Sequence, residues 1–396
     1  MKVGVGGINI GEKERAQVLE ALDSSRISMG KKTADFERKF SAYIGAKQGI
    51  SVSSGAFADQ IAIESLIYSK RIQKGDEIAI PALAFIAVAN SVLHAGCKPL
   101  FTDVDEQYFS MDLNDLQEKL TKKTKAILAV HNFGIPHDMD ELTKFARDNK
   151  LSLIEDAAEA HGAEWKGKKI GSFGALSCFS FYVAHIITSG EGGMILTDDK
   201  ELAEISRSLR AHGRACNCPT CVLLTSPEAC PIRFTKGNED KRFLFLYPGH
   251  SAKMNDLEAA IGLAQLENIE EVVKKRRENV DYLNSRLKKF SKQLQLPKER
   301  ENGKNSYLCY PIITRGNASK FQFIQHLEKL GIETRPLFGS VPTQQPAFSF
   351  MGHKLGDFPV SERVSNNGFY IGCHQYLERA QLDYVADAFT SFLEKK

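Results

Sequence analysis

Residues 49–70 read GISVSSGAFADQIAIESLIYSK, and this short stretch combines two structural periods. The apolar run GISVSS is typical of a buried strand, whereas AFADQIAIESLIYSK carries apolar residues at helical spacing. The two parts are joined at Ser54 and Gly55, where a small polar residue precedes a glycine. The stretch therefore predicts a strand followed by a helix, which is the repeating unit of an α/β fold.

The same alternation continues downstream. Strand-like runs DEIAIPA (76–82), KAILAV (125–130) and LSLIEDAA (151–158) are separated by amphipathic helical stretches. Such a pattern predicts a mainly parallel sheet, in which ligands bind at the carboxyl ends of the strands. Ser54, Asp156 and the loop after Val130 should therefore meet at one edge of the sheet, and function is expected there.

The length of 396 residues favours two unequal domains. We expect a large domain over residues 1–280 and a smaller carboxyl-terminal α+β domain over residues 281–396. Residues 214–251, called the cysteine loop below, form a long irregular stretch inside the first domain. A loop of this length in a compact domain is usually functional or disordered.

The composition is that of an ordinary globular protein, and a net charge of +3 gives no reason to expect a nucleic-acid partner. No run approaches the ~18 consecutive apolar residues of a membrane span, so no membrane association is expected. The amino terminus, MKVGVGGINI, lacks a charged segment followed by an apolar run. We therefore expect a cytoplasmic protein.

The strongest local motif is Ser180-Phe-Tyr-Val-Ala-His185, followed by a Gly-Glu-Gly-Gly turn at 190–193. Together with LIEDAA (153–158) and Ser-Ser-Gly (53–55), it resembles the DegT-type sugar aminotransferase family. The resemblance runs from GKKTADFERKF through MNDLEAAIGLAQLE to the carboxyl-terminal helix. It implies an aspartate aminotransferase-like (fold type I) large domain, a smaller α+β domain, and pyridoxal or pyridoxamine 5'-phosphate as cofactor.

In that family the residue matching Asp156 keeps the pyridine nitrogen protonated, which makes the ring an electron sink. The alternative is an ordinary carboxylate at a strand end. The helix that starts after Gly55 and the hydroxyl of Ser180 are expected to bind the phosphate. Family members often carry hydroxyl side chains where this chain has Ala56 and Phe57, so backbone groups must contribute more of that binding.

Two further cofactor contacts follow from the resemblance. Phe85 matches an aromatic residue that covers the cofactor ring, although a core phenylalanine fits the sequence equally well. The family also sends an asparagine across a homodimer interface toward the phosphate, and the matching residue is Ser251. A homodimer is therefore expected, with the segment MNDLEAAIGLAQLE as a buried interface rich in small residues.

His185 departs from the aminotransferase pattern, in which a lysine forms a Schiff base with the cofactor. An imidazole cannot make that stable bond, but it can still accept a proton near neutral pH. His185 is therefore predicted to be a catalytic base without covalent anchoring. The alternative is a dead active site.

Within the family, histidine at this place together with TRPLF (334–338) and QQP (344–346) resembles the 3-dehydrases of nucleotide-linked 4-keto-6-deoxyhexoses. The resemblance implies a pyridoxamine phosphate-dependent enzyme that expels the C3 hydroxyl of a nucleotide sugar. Arg335 is a candidate contact to an anionic group, with a surface arginine as the alternative. His374 is a second candidate substrate contact.

Four cysteines, Cys216, Cys218, Cys221 and Cys230, lie in the cysteine loop. They resemble the cluster loop of the iron-sulfur CDP-4-keto-6-deoxyglucose 3-dehydrase, and four thiolates can hold a [2Fe-2S] cluster. That related loop uses an additional upstream cysteine, and the matching residue here is Ala158. A zinc site or no metal at all are the alternatives.

Three functions therefore stay open. The first is a 3-dehydrase whose cluster relays electrons from a flavin or iron-sulfur reductase. The second is a cluster-free 3-dehydratase regenerated by transamination from glutamate. The third is a non-catalytic, cofactor-binding regulatory protein.

Overall fold

A computed structural model describes residues 1–218, 230 and 232–394. Its strands are β1 (Gln48–Val52), β2 (Glu77–Pro81), β3 (Lys98–Thr102), β4 (Thr124–Val130), β5 (Ser152–Asp156), β6 (Glu164–Trp165), β7 (Lys168–Lys169), β8 (Leu176–Ser180), β9 (Gly193–Thr197), β10 (Leu294–Gln295), β11 (Gly303–Lys304), β12 (Tyr310–Thr314), β13 (Arg335–Pro336) and β14 (Gly368–Ile371).

The α-helices of the described residues alternate with these strands in the first part of the chain. They are α1 (Glu12–Asp23), α2 (Lys31–Ile44), α3 (Gly55–Tyr68), α4 (Ile86–His94), α5 (Leu113–Lys119), α6 (Met139–Asp148), α7 (Lys200–Leu209), α8 (Asp256–Leu266), α9 (Ile269–Leu287), α10 (Lys320–Lys329), α11 (Val341–Gln344), α12 (Pro359–Asn367) and α13 (Arg379–Leu393). Short 3-10 helices lie at Asn132–Gly134, Lys288–Phe290 and Pro346–Met351.

The central sheet has seven strands in the order β1-β9-β8-β5-β4-β2-β3. Within the part of the sheet ordered β8-β5-β4-β2-β3, each strand pairs in parallel with its neighbours. Strand β9 is antiparallel to both β8 and β1. It follows that β1 runs in the same direction as β8, and that the carboxyl ends of β1, β2, β4, β5 and β8 share one edge. The prediction of an α/β fold with a mainly parallel sheet is confirmed.

Helix α3 is buried because its sequence is apolar on nearly every face. Ala58, Ile61, Ala62, Ile63 and Leu66 are all fully buried against the sheet and its neighbouring helices. The helix begins directly after β1, where the side chain of Ser54 accepts a hydrogen bond from the Phe57 N–H at 3.2 Å. This packing fixes the amino-terminal end of α3 at the functional edge of the sheet.

A second, four-stranded antiparallel sheet has the order β10-β12-β14-β13. This sheet packs against α10 and α13. Their shared apolar core includes Tyr310, Phe323, Phe369 and Phe389. Helix α9 runs across residue 280 and connects the two sheets along the chain. The division into residues 1–280 and 281–396 stays a prediction.

A smaller apolar cluster joins the two parts. Leu83 and Phe133, which follow β2 and β4, pack with Leu337 and Val364 from the carboxyl-terminal part. The second sheet is thereby held beside the edge where the central strands end. No helix of the described residues is long and apolar enough to cross a membrane.

Helix α8, which begins inside the segment MNDLEAAIGLAQLE, packs within the chain. A Cβ added at Gly262 would lie 2.7 Å from the Phe36 ring of α2, so the small residues allow close approach of these two helices. This small-residue face therefore serves an intrachain contact, and the subunit interface expected at this segment stays a prediction.

Candidate active site

The residues predicted for cofactor binding converge at the shared strand edge. Gly55 opens α3 after β1, Asp156 ends β5, and Ser180 ends β8. His185 lies in the loop between β8 and β9. We call Gly55, Asp156, Ser180 and His185 the site floor.

One end of the site floor is built by close approach of α3 to β8. A Cβ added at Gly55 would lie 2.5 Å from Ser180 Cβ and 3.0 Å from its Oγ, so only glycine fits. The Ser180 hydroxyl therefore lies directly beside the helix amino terminus, where partial positive charge favours an anion. Hydroxyl and helix end together suit a phosphate group.

Ala56 and Phe57 contribute little beyond backbone at this helix end. The Ala56 side chain is exposed, and its carbonyl accepts a hydrogen bond from Ser91 Oγ at 3.1 Å. The Phe57 ring packs 5.5 Å from the His250 ring, and its N–H is already used by Ser54. The backbone N–H groups of Gly55 and Ala56, the first two residues of α3, are the ones left to bind an anion at this helix end.

Asp156 lies at the middle of the site floor and is 6% exposed. Its carboxylate accepts the N–H of Ala158 at 2.9 Å. Burial raises the pKa of Asp156 to about 6, against the opposing effects of that N–H, of His131 and of Asp59. Asp156 is therefore ionised at neutral pH and able to pair with a protonated ring nitrogen.

His185 is held by a loop with regular backbone hydrogen bonds. Phe181 N–H donates to Gly192 O at 2.9 Å, and His185 N–H donates to Tyr182 O at 3.0 Å. Gly192 has a φ of +141°, and a Cβ there would lie 2.3 Å from Met254 Cε. The Gly-rich turn thus returns the chain to β9 and fixes His185 beyond the end of β8.

The imidazole of His185 is uncharged at neutral pH. Burial, followed by the nearby positive charge of Arg276, lowers its pKa to about 4. Its Nδ1 is buried without a hydrogen-bond partner among the described residues. A neutral ring with an unused nitrogen is able to accept a proton.

Arg276 is a functional candidate that the sequence reasoning missed. It lies on α9, is 3% exposed, and donates to the neutral acceptors Tyr307 O at 3.1 Å, Leu308 O at 2.9 Å and Gln375 Oε1 at 3.1 Å. Its positive charge therefore acts on the histidines around it. Within the run KKRREN, nothing in the sequence distinguishes this buried arginine from its exposed neighbours.

His374 lies near the same guanidinium. It is 6% exposed, its Nδ1 has no partner among the described residues, and burial followed by Arg276 lowers its pKa to about 4. His161 is fully buried, and its ring centroid lies 6.2 Å from that of His185. One buried charge, that of Arg276, therefore acts on both His374 and His185.

Aromatic rings line the open side of the site. Phe85 follows β2, is 59% exposed, and lies 5.9 Å from the Phe338 ring, which in turn stacks on Phe133 at 5.2 Å. An exposed phenylalanine in a cleft costs free energy unless something covers it. The interpretation of Phe85 as a core residue is thus excluded by its exposure.

Arg335 lies at the edge of the second sheet, where it pairs in register with Tyr370. It is half exposed and forms an ion pair with Glu333. This partner satisfies much of its charge, so an anionic ligand would have to compete with Glu333.

Glu159 is a second residue that the sequence reasoning missed. Its Oε2 accepts the Phe133 N–H at 2.6 Å, and burial raises its pKa to about 8. A protonated carboxyl group three residues after Asp156 can donate a hydrogen bond into the site. The spacing Glu-Asp-Ala-Ala-Glu, residues 155 to 159, was the available signal.

Ser251 and the cysteines do not belong to the site floor. Ser251 is exposed in the single chain, although Ala252 O accepts the N–H of Ser53 at 2.9 Å and so adjoins the end of β1. Cys216, Cys218 and Cys230 are half-buried, and Cys221 lies outside the described residues. No group of three metal-binding side chains is placed to hold an ion in the part of the chain that the structure describes.

Comparisons with known proteins agree with this geometry. Residues 8–390 match the model of the DegT/DnrJ/EryC1/StrS aminotransferase family. The chain is 33% identical over 395 residues to GDP-perosamine synthase of Caulobacter vibrioides. That alignment covers 99% of this chain and 98% of the synthase. The chain is 32% identical over 402 residues to dTDP-4-dehydro-2,6-dideoxy-D-glucose 3-dehydratase of Saccharopolyspora spinosa, covering 98% and 86% respectively.

A crystal structure of GDP-4-keto-6-deoxymannose-3-dehydratase with a trapped PLP-glutamate geminal diamine superposes with a TM-score of 0.89 at 27% identity, covering 98% of this chain and all of that one. The fold is thus the fold type I architecture of enzymes that use pyridoxal phosphate, as the sequence predicted. This chain belongs to the DegT/DnrJ/EryC1/StrS aminotransferase family, which contains sugar aminotransferases and 3-dehydratases.

Proposed function

We propose that this protein is a pyridoxamine phosphate-dependent 3-dehydratase of a nucleotide-linked 4-keto-6-deoxyhexose. One observation carries the proposal: the loop that follows Ser180 at the end of β8 holds an imidazole, His185, where an aminotransferase needs a lysine amine. Bound pyridoxamine phosphate supplies an amine that condenses with the sugar ketone and a ring that accepts electrons. The residues present suit that group, because the Gly55 cradle, Ser180 and Asp156 match its phosphate and its ring nitrogen.

Each residue of the site floor has one task in this proposal. The amino-terminal end of α3 and Ser180 bind the phosphate, and Asp156 holds the proton on the ring nitrogen. His185 accepts a proton from the aminomethyl carbon of the cofactor, because its ring is neutral with a pKa of about 4. That low pKa also makes the protonated ring a strong acid, so His185 can return the proton to the departing C3 hydroxyl.

The substrate side of the proposal rests on the neighbouring residues. Phe85 is exposed at the mouth of the site and covers the cofactor ring. The pKa of His374 is lowered by the same Arg276 charge that acts on His185, and its Nδ1 has no partner among the described residues, so it is available to contact the sugar. Arg335 binds the nucleotide diphosphate in exchange for Glu333. The names of both relatives contain a nucleotide sugar, GDP-perosamine in one and dTDP-4-dehydro-2,6-dideoxy-D-glucose in the other.

Sugar transamination is the main competing function, since the relatives include a perosamine synthase. His185 speaks against it, because an imidazole cannot anchor the cofactor covalently between turnovers. A non-catalytic, cofactor-binding protein is the other alternative, and the buried, unpaired His185 Nδ1 favours chemistry instead.

The test is turnover with glutamate as amine donor. Protein supplied with pyridoxal phosphate, glutamate and GDP-, dTDP- or CDP-linked 4-keto-6-deoxyhexose should form 2-oxoglutarate in step with loss of the C3 hydroxyl. Formation of a 4-amino sugar instead would assign the chain to the aminotransferases. Inactivity with all three nucleotides would favour the regulatory alternative.

A second candidate adds a reductive step through a metal cluster in the cysteine loop. The spacing of Cys216, Cys218, Cys221 and Cys230 favours it.

The described residues do not by themselves form a metal site, so no step of the proposed reaction passes through a metal. Anaerobic purification followed by iron and zinc analysis separates the three possibilities. Iron with a visible chromophore would support electron relay from a flavin or iron-sulfur reductase. Zinc would indicate a structural site, and metal-free protein would leave the glutamate-dependent dehydratase.

A homodimer is the expected assembly. Leu19, Leu22 and Ile27 on and after α1 are each about half exposed in the single chain, and such a group of apolar side chains favours a subunit contact. Ser251, exposed here, would then face the partner's cofactor phosphate. Sedimentation at micromolar concentration tests this, and a fully active monomer would contradict it.

A further inference from the structure

A second carboxyl group lies beneath the site floor and is not used in the proposed function. Asp59 lies in the second turn of α3 and is 3% exposed. Gly55 and Asp59 are four residues apart and so share one face of the helix. That face packs on β8, where Gly55 abuts Ser180 and the Asp59 carboxyl lies close to the Cys178 thiol. Asp59 therefore lies beside Cys178, which precedes Ser180 by two residues on β8.

Asp156 reaches the same point from the neighbouring strand. Asp156 and Cys178 are register partners between β5 and β8, and the Asp59 carboxyl lies close to both the Asp156 carboxyl and the Cys178 thiol. Two carboxyl groups in contact at a buried position cannot both be ionised, because their repulsion is poorly screened there. The pair therefore holds one shared proton at neutral pH.

The donors around the two groups decide which of them holds that proton. Asp156 accepts the Ala158 N–H, whereas Asp59 Oδ1 is buried without a hydrogen-bond partner among the described residues. The Cys178 thiol is only a weak donor to Asp59. The helix dipole gives little help, because its effect fades beyond the first turn and Asp59 is the fifth residue of α3. The proton therefore belongs on Asp59.

The titration behaviour agrees with this assignment. Burial, followed by the charge of Asp156, raises the pKa of Asp59 well above its ordinary value, whereas the pKa of Asp156 is raised to about 6. The other ionisable groups nearby are His131, which lowers the pKa of Asp156, and Glu155, which acts on Cys178. At neutral pH one member of the pair is neutral and the other is charged.

We propose that Asp59 is a protonated positioning residue, which donates a hydrogen bond to Asp156 and holds that carboxylate in place for the ring nitrogen of the cofactor. The proton stays on Asp59, so no net transfer occurs. This inference rests on the proposed role of Asp156, but the protonation of Asp59 is a property of the protein alone. Without the donor, the buried Asp156 carboxylate would keep only the Ala158 N–H and would itself take up a proton more readily.

Two variants distinguish the effect of the Asp59 hydrogen-bond donor from the effect of its side-chain volume. Asp59→Asn keeps a hydrogen-bond donor at the same place, and Asp59→Leu keeps a similar volume without one. Infrared difference spectra of cofactor-free protein at pH 7 should show the C=O stretch of a protonated carboxyl that Asp59→Asn lacks. Glu159, with a pKa of about 8, contributes a second such band, which Glu159→Gln removes. Equal bands in wild type and Asp59→Asn would overturn the proposal.

Pyridoxamine phosphate binding, measured by calorimetry, tests the positioning role. Asp59→Asn should retain most of the affinity, whereas Asp59→Leu should bind roughly ten- to a hundredfold more weakly, as expected for loss of a hydrogen bond to a charged group. Circular dichroism and thermal melting check that both variants fold. Unchanged affinity in Asp59→Leu, or an equal loss in both variants, would contradict the role. If wild type itself binds no cofactor, the proposed function fails, while the infrared result still decides the state of Asp59.

Discussion

The site floor and the cysteine loop both carry reactive side chains, but they differ in how those side chains are held. Asp156 and Ser180 end strands of the central sheet, and Gly55 opens a buried helix. Cys216 and Cys218, by contrast, lie in irregular chain, half-buried, where isolated pairings such as Arg214 with Phe245 hold the backbone. The geometry of the site floor is therefore fixed by the fold, whereas cysteine spacing alone does not bring metal ligands together.

The largest effect is expected at Asp156. Asp156→Asn should lower turnover by about three orders of magnitude, equivalent to roughly 4 kcal/mol of transition-state stabilisation, because a neutral amide no longer holds the ring nitrogen protonated. Steady-state kinetics with bound cofactor measure this. A rate near that of wild type would remove Asp156 from the mechanism.

His185→Lys should exchange one activity for another. A general base contributes about 10²- to 10⁴-fold, so dehydration should fall by that order, while the new amine should bind pyridoxal phosphate covalently. Borohydride reduction followed by mass spectrometry detects the covalent bond. His185→Asn is the matched control, since it removes the base without supplying an amine. Dehydration at the wild-type rate in either variant would exclude His185 as the base.

The cysteine loop should respond differently from the site floor. Serine replacement of Cys216, Cys218, Cys221 or Cys230 should leave dehydration within about twofold of wild type, because surface changes rarely exceed ~0.5 kcal/mol. If the loop holds a cluster, each replacement should also lower iron content and abolish reductase-coupled deoxygenation. Loss of dehydration in these variants would show that the loop belongs to the site floor's chemistry.

A smaller, spectroscopic effect concerns the charge of His185. Its imidazole should titrate with a midpoint of about 4 in NMR spectra of the free protein, with His185→Asn to assign the resonance. Since the folded pKa lies below the unfolded value of about 6.5, the unfolded chain binds more protons between these pH values. The contribution of His185 to stability is thus lost as pH falls through that window. A midpoint at or above 6.5 would contradict the burial and the influence of Arg276.

Much of this architecture was predictable from sequence because its signals are local. The strand-helix alternation gave the sheet, and the small residues at Ser54 and Gly55 gave the helix start. Arg276 and Asp59 were not predictable, because burial depends on which helix face packs against the rest of the fold. His161 was not predictable either, because it lies in a turn after β5, far from Arg276 in the chain. Four other cysteines, Cys97, Cys178, Cys309 and Cys373, lie in apolar stretches of the sequence and are buried.

The central claim is that His185 directs the cofactor toward dehydration, and a single turnover tests it most directly. Protein loaded with pyridoxamine phosphate, without glutamate, should be mixed with the GDP-, dTDP- or CDP-linked 4-keto-6-deoxyhexose that it binds, and the sugar product analysed by mass spectrometry and NMR. We predict a 4-keto sugar that has lost the C3 oxygen, together with released ammonia and pyridoxal phosphate. A 4-amino sugar that keeps its C3 hydroxyl would contradict the account.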